Sequence, residues 1–289
     1  MNVIFVGVGA IGLPMALQIQ KAGHTIIGVD VSEESRNRAK LSGVEVVGSF
    51  PSEIKADVII AMVATPTQLE ILIKEAQPHV KGQHWIIMST VGPQAAKDAG
   101  EKLINAGAFI VDAPVTGGTA RASTGELVIF AAGDTEALDF VSPVLNSMGT
   151  VKVVGNHPGE GQGIKVINQH LCSVHIVAAA EALNLASALN LNPVEVLALV
   201  EGGAAGSWML SDRGPRMLKN SDVAVSSAIN IFVKDSGLVA DAAKACGAET
   251  PLLDVARARY VAAAEAGLGL NDDSRVIETW EILRAQTDH

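Results

Sequence analysis

Apolar and polar positions alternate between two kinds of segment in the first half of the chain. NVIFV (2–6) is a short continuous apolar run, followed by a glycine turn and a helix-period stretch to about Gly23. TIIGV (25–29) is a second run and 32–42 a second helix. Strand-like runs recur at 44–47, 57–62 (DVIIAM), 84–88 (HWIIM) and 108–112 (AFIVD), with helical segments at 67–77 and 93–106. Two more strands, 126–132 and 150–154, flank a helix near 135–148. Continuously apolar strands alternating with helices predict a parallel sheet covered on both faces.

After Gly163 the pattern changes. Residues 164–190 read as one long helix, with Ile164, Ile167 and Leu171 as its expected buried face. Lys165 and Asn168 are three apart and share a neighbouring face. Asn192-Pro193-Val194-Glu195 supplies an N-cap residue, a proline at the first helical position and a glutamate in the first turn. Further helices fit 193–200, 206–218, 225–246, 251–266 and 274–286, and no strand signal returns. The reading is an α/β domain over 1–163 and an all-helical substrate or dimerisation domain over 164–289, joined by the long helix 164–190. Lys165 is then expected at a cleft between domains, a common place for small-molecule sites.

Composition narrows the classes. With 48% hydrophobic and 18% charged residues, a large core is available and disorder is disfavoured. The formal net charge is −10 and no basic run stands out, which speaks against a nucleic-acid partner. Two cysteines, Cys172 and Cys246, cannot form a disulfide framework and fit a reducing cytoplasm. Cys172 and His175 lack a matching ligand pair and read as core packing, so no metal is expected. The apolar N-terminus lacks a basic leader, and 171–191 is interrupted by His175, Glu181, Asn184 and Asn190. No membrane association is expected.

Gly7-Val8-Gly9-Ala10-Ile11-Gly12 follows the first strand and opens the first helix. Gly7 permits the tight turn, Gly9 lets a pyrophosphate approach the backbone, and Gly12 lets helix and strand pack closely. Asp30 ends the second strand, 18 residues after Gly12. This context defines a Rossmann-type doubly wound domain with a dinucleotide site. The Asp30 carboxylate suits ribose hydroxyls and repels a 2′-phosphate, which favours NAD over NADP. Arg36 and Arg38 are the counterweight, read here as solvated helix-face charges. The rest of the cofactor cleft is expected from Met62-Val63-Ala64-Thr65-Pro66 and Ser89-Thr90-Val91-Gly92-Pro93. Thr90 alternatively caps the next helix.

Together these stretches resemble the β-hydroxyacid dehydrogenase family. The resemblance runs through GVGAIGLPMA (7–16), STVGP (89–93), DAPVTGGTARASTGEL (112–127), GQGIKVINQ (161–169) and FVKDSGLV (232–239). It implies Lys165 as the catalytic lysine with Asn168 as its helical partner at the substrate. It implies a carboxylate-holding loop at Thr116, Gly117 and Gly118, and cofactor contacts from Thr90 and Lys234. Val63 and Ala64 stand where relatives usually carry Leu-Pro, so backbone contacts to the cofactor are what the resemblance supports there. As a bare pair, Lys234-Asp235 could equally be a solvated charge couple. The carboxy-terminal half looks most like the L-threonate dehydrogenase subgroup, which would put Ser207 and Trp208 at the substrate; alternatively Trp208 anchors helices. Family membership also implies a homodimer or homotetramer.

The chemistry is consistent with those assignments. Oxidising an alcohol with NAD removes a hydride from carbon and a proton from oxygen, and the proton needs an acceptor. A dry cleft and a nearby nicotinamide cation both disfavour an ammonium, so neutral Lys165 could serve as base. The preferred substrate is a four-carbon sugar acid such as L-threonate, oxidised to its oxo acid. Alternatives are 3-hydroxyisobutyrate dehydrogenase, tartronate semialdehyde or glyoxylate reductase, and serine dehydrogenase activity. A non-catalytic dinucleotide sensor and an imine reductase are the readings of another class; Lys165 with Asn168 argues against the first, and Lys165 against the second.

Overall fold

The computed structural model describes residues 1–51, 56–76, 79–219 and 223–280. It divides into two compact units, Met1–Val166 and Ile167–His289. The first carries β1 (Asn2–Val6), α1 (Gly12–Lys21), β2 (Thr25–Val29), α2 (Glu33–Leu41), β3 (Glu45–Val47) and β4 (Val58–Ala61). Then follow α3 (Pro66–Ala76), β5 (His84–Ile87), α4 (Pro93–Asn105), β6 (Phe109–Asp112), β7 (Val115–Thr116), α5 (Gly118–Thr124), β8 (Leu127–Gly133), α6 (Thr135–Asn146) and β9 (Gly149–Gly155).

Strands β3-β2-β1-β4-β5-β6 lie side by side in parallel. β8 joins β6 and β7 antiparallel and β9 parallel. The strand order reverses between β1 and β4, which puts the ends of those two strands at the crevice where open α/β sheets bind ligands. Both faces are apolar. Val3 and Phe5 pack with Met15 and Ile19 of α1, and with Val141 and Leu145 of α6. Ile4 and Val6 point the other way, toward Leu69 and Ile73 of α3 and Leu103 of α4. This double burial explains why the strands read as unbroken apolar runs. The short β7 and the helix α5, between the expected strands, carry too few residues to show a period.

α7 (Glu160–Ala188) is one continuous helix that begins in the first unit and continues into the second. It ends where Asn190 takes a left-handed conformation (φ 58°) and Leu191 donates to the Ala186 carbonyl. The second unit adds α8 (Pro193–Val200), α9 (Trp208–Met217), α10 (Ile229–Cys246) and α11 (Pro251–Ala263). A π-helical turn (Ala264–Leu268) and a 3-10 helix (Asp273–Ile277) follow. Asn192 caps α8 as its sequence suggests, accepting from the Val194 N–H at 3.0 Å. Ile176, Ala180 and Leu183 of α7 pack with Phe232 of α10 and Tyr260 of α11. α10 starts at Ile229 rather than 225 because the chain before it pairs backbone to backbone with 271–273. Asp273 donates to the Ser227 carbonyl and Ile229 to that of Asn271. The helix expected over 274–286 begins as the 3-10 turn; its part beyond residue 280 lies outside the described residues.

One expectation is reversed. Ile164, Ile167 and Leu171 are the outward face of α7, 40%, 60% and 49% exposed. The inward face carries Gln162, Lys165, Val166, Gln169 and Ser173, all buried. The usual apolar-in rule fails because the buried amides of Gln162 and Gln169 have partners, described below, and a bonded amide can be buried at little net cost. By length and composition α7 could cross a membrane. Its buried glutamines are bonded within the protein instead.

Candidate active site

The fingerprint turn meets its geometric requirements. Gly7 has φ +97° and its N–H donates to the Val29 carbonyl at 2.8 Å. A Cβ on Gly7 would lie 2.2 Å from the Met62 carbonyl oxygen, and one on Gly12 only 1.9 Å from that of Gly7. A Cβ on Gly9 would meet nothing within 4 Å. Gly7 and Gly12 are thus required by the fold itself, whereas Gly9 borders open space at the start of α1. Ile11 caps that helix without a side-chain hydrogen bond, and its first turn holds no acid. Open space before an uncapped helix N-terminus suits a pyrophosphate, so these residues fit a dinucleotide.

Asp30 follows β2, and its Oδ1 accepts the Ser32 N–H at 2.8 Å. Arg38 is a solvated helix-face charge, paired with Glu34 at 3.4 Å. Arg36 is not. Its guanidinium donates to the Asp30 and Val31 carbonyls at 2.9 and 2.8 Å and clamps the turn that presents Asp30.

The two later loops differ in what they leave available. Thr65 and Gln68 cap α3 reciprocally, and Gln68 Oε1 takes the Ala64 N–H at 2.8 Å. The Ala64 amide is therefore already engaged; Val63 beside it is half-buried. In the second loop the N-cap of α4 is Gly92 (φ +84°), so Thr90 is not the cap. Thr90 sits between buried Ser89 and buried Val91. Thr116 ends β7 and Gly117 (φ +135°) precedes α5 without a side-chain cap. A Cβ on Gly118 would meet nothing within 4 Å, so this loop also borders open space.

Lys165 lies on the inward face of α7 and is 6% exposed. The start of that helix is seated directly on the sheet. A Cβ on Gly161 would be 2.5 Å from the Phe130 carbonyl oxygen and 2.9 Å from that of Asp112. Asp112, at the end of β6, takes the Gly159 and Gln162 backbone N–H groups on Oδ2, each at 2.9 Å. Burial pushes its carboxyl up to about 6, against the lowering effect of those bonds. Gln162 and Asp112 lie within the motifs GQGIKVINQ and DAPVTGGTARASTGEL, yet nothing local in either marks them as buried and bonded to each other.

In the second unit Asn168 donates to Gln169 Oε1 at 2.9 Å. Gln169 in turn donates to Asp235 Oδ2, which ties α7 to α10. Asp235 is 3% exposed and pairs with Lys234 at 2.9 Å, so this is no solvated couple. The Ser207 hydroxyl accepts the Leu210 N–H as the cap of α9. Trp208 is 53% exposed, with the Arg213 guanidinium 5.6 Å from its ring centroid, and anchors no helix core. Arg213 pairs with buried Asp273 at 2.8 Å, and Arg216 with Asp272 at 2.9 Å. Arg275 donates to the Arg216 and Met217 carbonyls that end α9. α9 and the 3-10 turn are thus joined by ion pairs and hydrogen bonds.

A doubly wound sheet with this fingerprint at its switch point, followed by a helical unit, defines a dinucleotide-binding protein of the Rossmann class. Residues 2–157 match the NAD-binding domain of 6-phosphogluconate dehydrogenase, and 159–280 the NAD-binding family of NADP-dependent 3-hydroxyisobutyrate dehydrogenase. An L-threonate dehydrogenase of Escherichia coli O6:H1 is 35% identical, over 96% of this chain and 94% of that protein. A solved structure of 3-hydroxyisobutyrate dehydrogenase from Salmonella typhimurium superposes with TM-score 0.88 at 31% identity, covering 96% of this chain and 99% of the other. The Mycobacterium tuberculosis 3-hydroxyisobutyrate dehydrogenase, solved with L-serine, gives 0.86 at 29%, covering 96% and 98%. The chain belongs to the β-hydroxyacid dehydrogenase family, the NAD(P)-dependent oxidoreductases that act on small hydroxy acids.

Proposed function

We propose that this enzyme oxidises a four-carbon sugar acid, with L-threonate as the preferred substrate, to its oxo acid, using NAD. The observation that carries the reading is the burial of Lys165 on the inward face of α7, three residues from Asn168. Full-length kinship to an L-threonate dehydrogenase supports the substrate class. When bound, the nicotinamide accepts the hydride. The residues of the chain do the rest. Lys165 Nζ takes the hydroxyl proton in oxidation and returns it in reduction. Asn168 orients the reacting oxygen. Thr116 and the backbone N–H groups of Gly117 and Gly118 hold the substrate carboxylate. Gly7 to Gly12, Val63 and Thr90 line the cofactor, with Ala64 contributing shape rather than its engaged N–H. Lys234 is assigned to the cofactor, and Ser207 and Trp208 to the substrate; the Ser207 hydroxyl can still donate while it caps α9. The apolar outward stripe of α7 supports a homodimer or homotetramer, and the cysteine usage supports a cytoplasmic enzyme.

The test is a panel of L-threonate, 3-hydroxyisobutyrate, glycerate and L-serine with NAD and NADP, followed by absorbance of the reduced cofactor. L-threonate with NAD is expected to give the highest kcat/KM. No turnover of any acid would favour the sensor reading. Asp30→Asn is expected to raise the NADP-to-NAD ratio of kcat/KM about tenfold, because it removes a like charge from the 2′-phosphate position. An unchanged ratio would remove Asp30 from cofactor choice.

A further inference from the structure

Gln162 is fully buried, and its carboxamide uses all of its hydrogen-bonding capacity. Its oxygen accepts the Val91 and Gly92 N–H groups at 3.0 and 3.1 Å. Its nitrogen donates to the Ser89 carbonyl at 2.9 Å and to Asp112 Oδ1 at 3.0 Å. Three of these four bonds go to the loop after β5, on both sides of Thr90. The fourth goes to the carboxylate that caps the first turn of α7, a favoured place for an anion. Lys165 lies three residues on, on the same buried face of the helix.

A leucine here would orphan the Val91 and Gly92 N–H groups, the Ser89 carbonyl and Asp112 Oδ1, all of which this one amide satisfies. What a fully bonded buried amide provides is one fixed geometry among the elements it joins. We propose that Gln162 is a positioning residue: it holds the Ser89–Gly92 loop and the Lys165 turn of α7 in one register, through a single amide shared with Asp112. The proposal rests on the reading of that loop as cofactor-binding and of Lys165 as the acid/base. Gly92 and Gly159 fit the same design. Both have positive φ (84° and 95°), which turns their N–H groups toward Gln162 and Asp112 respectively.

A polarity swap tests it. Gln162→Glu sets two carboxyls against each other, and Asp112→Asn sets two amide nitrogens together. The double variant restores one donor facing one acceptor between the two side chains, although the carboxyl at position 162 no longer donates to the Ser89 carbonyl. Each single variant is expected to lower kcat with L-threonate and weaken NADH binding, read by protein fluorescence quenching, about tenfold each. The KM for L-threonate should move much less than kcat. The double variant is expected to exceed the worse single variant by at least about threefold in both readouts, short of the parent because the Ser89 bond stays lost. Single variants with parent-like kcat and NADH affinity would overturn the proposal. So would a double variant that does not fold or is no better than the worse single variant, because the Gln162–Asp112 pairing would then not set the geometry. Lys165→Met separates the underlying reading: full turnover in that variant removes the proton-transfer assignment while the NADH-affinity arm still judges Gln162.

Discussion

Lys165→Met is expected to lower kcat for hydroxy-acid oxidation by about 10³-fold, the size of one general-base contribution. That is about 4 kcal/mol of transition-state stabilisation. Methionine matches the lysine stem in length and apolar character, so the turn of α7 that carries it should keep its packing. The proton acceptor is removed, together with the contacts of the buried amine. NADH affinity is expected to stay near the parent value while turnover collapses. Lys165→Arg is expected to be as impaired, because a guanidinium stays protonated and cannot take the hydroxyl proton. A primary deuterium isotope effect on the residual rate would place the loss in the chemical step. Retention of more than about a tenth of the parent kcat by the methionine variant would sink the assignment, since a base is worth at least about a hundredfold.

The fingerprint turn was legible in the sequence because its constraints are local. Gly7 and Gly12 are dictated by backbone atoms within one turn and one neighbouring strand, and such constraints leave a fixed spacing. The place of Asp30 is legible for the same reason: it follows β2, the strand beside β1. Capping gave Asn192 and Pro193 directly. The α7 side of the site was less legible. Periodicity located the helix, yet it assigned Ile164, Ile167 and Leu171 to the core when they face outward. Nothing local distinguishes an amide that faces water from one bonded to partners far along the chain. Gln162 meets Asp112 across 50 positions, and Gln169 meets Asp235 across 66. Such pairings belong to the tertiary structure, and a hydrophobic pattern inverts wherever they occupy the inward face. Arg36 was misread for a related reason. Its partners are main-chain carbonyls, which no residue type announces.

The fingerprint glycines allow fold and ligand to be separated by experiment. Gly12→Ala is expected to destabilise the protein by about 3 kcal/mol, because the added methyl meets backbone that cannot step aside. The new Cβ would stand 1.9 Å from the Gly7 carbonyl oxygen and 3.0 Å from the Phe5 ring, so α1 must lift from β1. That should lower Tm by about 8 °C, and NADH affinity should fall with it, because the helix N-terminus moves. Gly9→Ala is the contrast. Its Cβ meets no protein atom within 4 Å, and Gly9 is not among the positive-φ glycines. Its Tm is expected to match the parent, yet NADH binding should weaken about 10- to 100-fold, because the methyl occupies the space a pyrophosphate must enter. Thermal melts and NADH titrations of the two variants, run together, give opposite pairings of stability and affinity. A Gly9→Ala protein that binds NADH as tightly as the parent would place the pyrophosphate elsewhere and detach the dinucleotide from this turn.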